Sequence, residues 1–93
     1  MIMTVPNAAP QKVGTAFSPG KLDVQVLSAA GVYIRIARSR DELLTPLPFA
    51  GNQGNTFDST AGLVEFQWFG EVWVCGVSGN ASQPVIDLRM TPQ

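Results

Sequence analysis

The chain contains no histidine and one cysteine. The commonest general base is therefore missing, and no internal disulfide and no zinc site of Cys/His type can be assembled. Charge is also scarce: 14% of the residues are Asp, Glu, Lys or Arg, against about 25% in an average soluble domain, and the net charge is −1. Arg35, Arg38 and Arg40 come nearest to a basic run, and Asp41 and Glu42 cancel it, so the electrostatic footprint of a nucleic-acid binder is absent. No apolar stretch approaches the ~18–20 residues of a membrane-spanning helix. The first residues, MIMTVPNAAPQKVG, show neither a basic n-region nor a continuous apolar h-region. They are expected not to be a signal peptide, which places the chain in a reducing compartment or in material released from one by lysis.

What is present is β-forming sequence in a chain of 93 residues, the size of one domain. The segment GLVEFQWFGEVWVCGVSG, residues 62–79, carries both tryptophans and the cysteine. Its aromatic and β-branched density predicts a pair of strands. A type II′ turn at Gly70-Glu71 pairs Trp68 with Trp73, Phe66 with Cys75 and Val64 with Val77 on one apolar face. That register makes both tryptophans core residues and Cys75 a small buried hydrophobe, and leaves Phe69 exposed beside the turn.

Residues 21–28, KLDVQVLS, alternate: Leu22, Val24 and Val26 face one way, Lys21, Asp23 and Gln25 the other. Ala29-Ala30-Gly31 then turns the chain into a second run in which Val32, Ile34 and Ile36 oppose Tyr33, Arg35 and Ala37, predicting a hairpin. Ser39 followed three positions on by Glu42 predicts one helical turn over Arg40–Leu44, stopped by Pro46 and Pro48. An extended edge segment Leu47–Phe49 follows, then a loop over Ala50–Ala61 in which Phe57 plugs the end of the core. Asp58-Ser59-Thr60 has the residue types of a turn or N-cap and too few carboxylates for calcium. A last strand starts at Pro84, with Ile86, Leu88 and Met90 on one face. The prediction is an all-β fold, a small antiparallel β-sandwich or barrel of five to six strands, occupying residues 21–93.

Residues 1–20 lack periodicity and are broken by Pro6, Pro10 and Pro19. Their apolar residues set them apart from a solvated linker, and they are expected to form an extended arm lying on a neighbour. The candidate interface residues are accordingly Ile2, Val5, Val13 and Phe17 of the arm, with Tyr33 and Phe69 as exposed aromatics. The carboxylates Asp23, Glu65, Glu71 and Asp87 fall on polar strand faces, where surface ion pairs are the expectation. No catalytic residue, metal ligand or cofactor site is assigned.

The run GVYIRI, the Pro-bearing LTPLPF, a Gly/Asn loop into TFDST and then EVWVCGVSGNASQPVIDLRM, together spanning Val32 to Met90, resembles the small β-domain accessory proteins of tailed-bacteriophage particles. These include capsid cement (decoration) proteins and short head- or tail-attached proteins. The resemblance implies a non-enzymatic virion component, made in the bacterial cytoplasm, that associates with itself as a dimer or trimer. It also implies contact with a major capsid protein or another virion protein, at joints between capsomers in the case of a cement protein. No nucleic acid or membrane partner is implied. A small tail, head-fibre or adhesion component, or a β-module binding a ligand through exposed aromatics, are the alternatives.

Overall fold

A computed structural model describes residues 1–44 and 55–92. They form strands β1 (Ile2–Thr4), β2 (Gln11–Val26), β3 (Ile34–Ala37), β4 (Thr56–Phe57), β5 (Leu63–Gly76) and β6 (Val85–Pro92), with a short helix α1 (Arg40–Leu44). The strands make one antiparallel sheet in the order β1-β6-β2-β5-β3-β4, curled into a half-barrel. The all-β expectation is met. The expected segment Leu47–Phe49 and the start of the following loop lie outside the described residues.

The pairing differs from the predicted hairpins. Residues 63–76 do not turn back at Gly70: they run on as one strand, paired throughout with β2 from Gln25↔Leu63 to Gln11↔Val74. Gly70 does take a positive φ, +103°, but uses it to kink the strand. Opposite the kink the register steps from Ala16↔Gly70 to Gly20↔Trp68, so Phe17, Ser18 and Pro19 answer Phe69 alone. The excess bends the sheet, and proline is tolerated there because a bulge needs no ladder N–H. Gly70→Ala should therefore cost about 1–2 kcal/mol, the penalty of a side chain in the left-handed region. An unchanged urea midpoint would contradict the kinked geometry.

Because β5 is continuous, residues five apart fall on opposite faces. Trp68 is buried in the main core with Val72 and Val74, together with Leu22, Val24, Val26, Ile34, Ile36, Phe57, Ile86 and Leu88. Trp73 and Cys75 sit on the other face, beneath α1, where buried Cys75 packs with Ala37 and Leu43, and Trp73 is half-buried against them. Trp68 and Trp73 are thus not cross-strand neighbours, and Phe66 and Val64 pair with Leu22 and Val24 rather than with Cys75 and Val77. Cys75 is buried as expected, on the face opposite to the one expected. Burial pushes its thiol pKa up, against smaller lowering contributions from the Ala8 and Ala9 backbone and from Arg35.

The second predicted hairpin is also replaced. β2 and β3 each alternate as read, but β5 lies between them. Gly31 does turn, at φ +92°, yet its N–H donates to Asp58 Oδ2 at 2.9 Å, tying the β2–β3 connection to the far loop. Asp58 is the N-cap of the 3-10 turn Ser59–Ala61, its Oδ1 accepting from the Thr60 N–H. The helical turn is where the sequence places it: Ser39 Oγ accepts from the Glu42 N–H, while Glu42 Oε2 accepts from the Arg38 N–H.

Residues 1–20, expected to lie outside the domain, are woven into the sheet. β1 pairs with β6 through Ile2↔Asp87, Met3↔Ile86 and Thr4↔Val85. The chain then crosses to the end of β5: Val5 N–H donates to Pro84 O, Gly76 N–H to Pro6 O, and Ala8 N–H to Gly76 O. Asn7 and Gly76 form a parallel bridge. This strap closes the open side of the half-barrel between β6 and β5, and Val5 is 0% exposed in the core. Residues 11–20 are the first part of β2. Periodicity is absent because the segment serves two different strands in succession.

Candidate interaction surface

The kink in β5 and the bulge in β2 create the most distinctive surface of the molecule. From Gly20 to Gln25, β2 pairs with both β5 and β6, but beyond the bulge it follows β5 only. A cleft of about 340 Å³ opens where β2 leaves β6, lined by Phe17, Lys21, Leu22, Trp68, Met90 and Pro92 among others. Phe17, on the bulge, is 89% exposed. Phe69, which the register sets against that bulge, is 58% exposed.

Trp68 is held from two sides. Its Nε1 donates to Glu71 O at 3.0 Å, and the Arg38 guanidinium lies 4.2 Å from the ring centroid. Arg38 is itself anchored on Gln67 O at 3.2 Å. Phe66 meets Trp68 edge-on, with centroids 5.7 Å apart. The tryptophan wall of the cleft is therefore fixed, whereas Phe17 at its mouth and Phe69 on the strand across the bulge, together an aromatic lip, stand in solvent. Lys21 is the cation at the rim. Its Nζ is 3.0 Å from Glu65 Oε1 and 3.8 Å from Asp23 Oδ1. The hydrogen bond to Glu65, then the Asp23 charge, raises its pKa.

Of the six candidate interface residues, Phe17 and Phe69 are brought to one place. Ile2 is 68% exposed but belongs to the β1 edge. Val5 is a core residue and offers no surface, because the strap seats it between β6 and β5. Val13 is half-buried against the core. Tyr33 is half-buried, and its backbone N–H and carbonyl are both bonded to the Asn80 side chain, at 2.8 Å each. Trp68, Met90 and Pro92 were not legible as parts of a cleft, since the cleft exists only through the bulge. Proline beside an exposed aromatic, Phe17-Ser18-Pro19, is the one local signal that pointed there.

The chain shows no significant match to any protein-family model, curated protein or solved structure. The surface has to be read from its own chemistry.

Away from α1, the outer face of β2 and β6 carries polar side chains. Asp23, Gln25, Leu63, Asp87 and Arg89 line a smaller depression of about 210 Å³. Its charges are paired, as Arg89 Nη2 is 3.7 Å from Asp87 Oδ2 and the Asp23 carboxylate faces Lys21. Among the described residues no group of three or more His, Cys, Asp or Glu is placed to hold a metal ion, and no helix is long and apolar enough to cross a membrane. Lys12 Nζ lies 3.2 Å from Glu71 Oε1, and Trp73 Nε1 donates to the same oxygen at 3.3 Å. The hydrogen bond from Lys12, then that from Trp73, lowers the Glu71 pKa. A depressed carboxyl stabilises the fold above its unfolded pKa, and that contribution fades as pH falls through the folded value. NMR titration should place the Glu71 midpoint below that of an ordinary glutamate, and Lys12→Gln should move it back up. A midpoint indifferent to Lys12→Gln would show the pair to be absent in solution.

Proposed function

We propose that this chain is a non-enzymatic structural component of a tailed-phage particle, a capsid cement or decoration protein that docks on other virion proteins. The observation that supports this reading is the aromatic lip. On a small, low-charge domain, Phe17 stands in solvent at the mouth of an apolar cleft with a rigid tryptophan wall, and Phe69 stands in solvent on the strand across the bulge. Protein interfaces concentrate aromatic side chains in this way, next to pockets that exclude water. The resemblance of the segment Val32 to Met90 to phage accessory proteins supplies the kind of partner, a major capsid protein.

Quantitative mass spectrometry of purified particles tests this. A copy number stoichiometric with the shell protein is expected, and a Phe17→Ser/Phe69→Ser variant should load poorly onto particles while unfolding at an unchanged urea concentration. A few copies per particle would move the chain to the tail or a head fibre, and absence from particles would overturn the reading.

The cleft favours a second reading, a ligand-binding β-module. Its volume lies at the lower end of the range for small-molecule sites. Trp68 lines it, so a bound sugar or peptide should shift tryptophan emission in the wild type and not in Trp68→Phe.

A further inference from the structure

The strap of residues 1–8 is attached to the rest of the molecule in an unusual way. Its backbone hydrogen bonds run to residues 76–88, at the other end of the chain: the β1–β6 ladder, Val5 to Pro84, and the Pro6 and Ala8 bonds with Gly76. The side-chain bonds follow the same pattern, Asn7 Nδ2 donating to Ser82 O and Asn80 Nδ2 to Asn7 Oδ1. The fit is close, since a Cβ added at Gly76 would overlap the Asn7 side chain. Yet the strap joins β2, its continuation in sequence, only through Ala8-Ala9-Pro10. Within that joint Ala8 has φ +56°, the one non-glycine residue in the left-handed region among those described.

We propose that the strap exchanges between two copies of this chain, residues 1–8 of each closing the half-barrel of the other. The partner is identified by complementarity: the groove between β6 and the end of β5 accepts this segment, and a second copy carries the same segment. Every contact of the strap is reproduced in the exchanged dimer, so the bonds themselves favour neither form. The joint distinguishes them. A short connection held under backbone strain invites exchange, because straightening Ala8-Ala9-Pro10 lets Ala8 leave the left-handed region, and Pro10 already biases Ala9 toward extended backbone. The resulting interface is isologous, with both straps engaged around a two-fold axis. This inference does not depend on the virion reading and holds or fails on the isolated protein.

The test uses the full chain. Sedimentation velocity from micromolar to millimolar concentration should show a monomer giving way to a dimer. Isotopically labelled and unlabelled chains, unfolded and refolded together, should then give interchain NOEs across the Met3–Ile86 pair in the dimer. Ala8→Gly removes the strain from the closed form and should weaken dimerisation about tenfold or more for each joint relieved. A protein that stays monomeric throughout, a dimer without interchain NOEs across that pair, or an association constant indifferent to Ala8→Gly would each overturn the proposal.

Discussion

Trp68→Ala should lower stability by about 3–5 kcal/mol, and Trp73→Ala by clearly less. The two residues are alike in type and only five positions apart, but the continuous strand puts them on opposite faces. Trp68 is 3% exposed, packed in the main core against Phe66, and bonded to the backbone of Glu71. Truncating it leaves a large cavity and strands the carbonyl and the Arg38 cation that it meets. Trp73 is half-buried in the minor cluster under α1, and its indole N–H reaches a carboxylate in solvent. Chemical denaturation of the two variants checks the difference. Equal losses would restore the hairpin, in which both rings share one buried face.

The second large effect concerns the strap. Deleting residues 1–7 should remove a large fraction of the 5–15 kcal/mol typical of a domain's total stability, with a correspondingly lower urea midpoint. Val5 alone accounts for about 1.5–3 kcal/mol of burial. Its loss also opens the core between β6 and β5 and leaves the Pro84 carbonyl and the Gly76 N–H without the partners that Val5 and Pro6 supply. The deletion reverses the sequence-based expectation that residues 21–93 stand alone. A truncated protein with an unchanged midpoint would show the strap to be an ornament on a self-sufficient fold.

The parts of the fold that were legible are those set by local chemistry. Alternation at Leu22, Val24 and Val26 and at Ile86 and Leu88 identifies strand faces, because one side of each meets the core. Ser39 with Glu42 fixes a helical turn, and Asp58 a cap, through bonds spanning a few residues. The pairings were not legible. Gly70 signals a positive φ, and a positive φ serves a reversing turn or a kink equally well. Which of the two occurs depends on whether β2 supplies a partner on both sides of it, and that partner lies some fifty residues away. The aromatic lip was half legible: Phe69 was singled out as exposed and Phe17 as an interface residue of the arm, but only the bulge sets them opposite one another.

The closure of the half-barrel by the first residues also sets an order of events during synthesis. Met1 and Asp87, which meet in the folded state, are 86 positions apart. At translation rates of about 5–20 residues per second, the strap waits roughly 4–17 s for its groove to be made. Until residues 76–88 exist, a growing chain has no groove of its own in which to bury Val5. The strap, made well before residues 76–88, is thus among the last segments of this fold to find its place within its own chain.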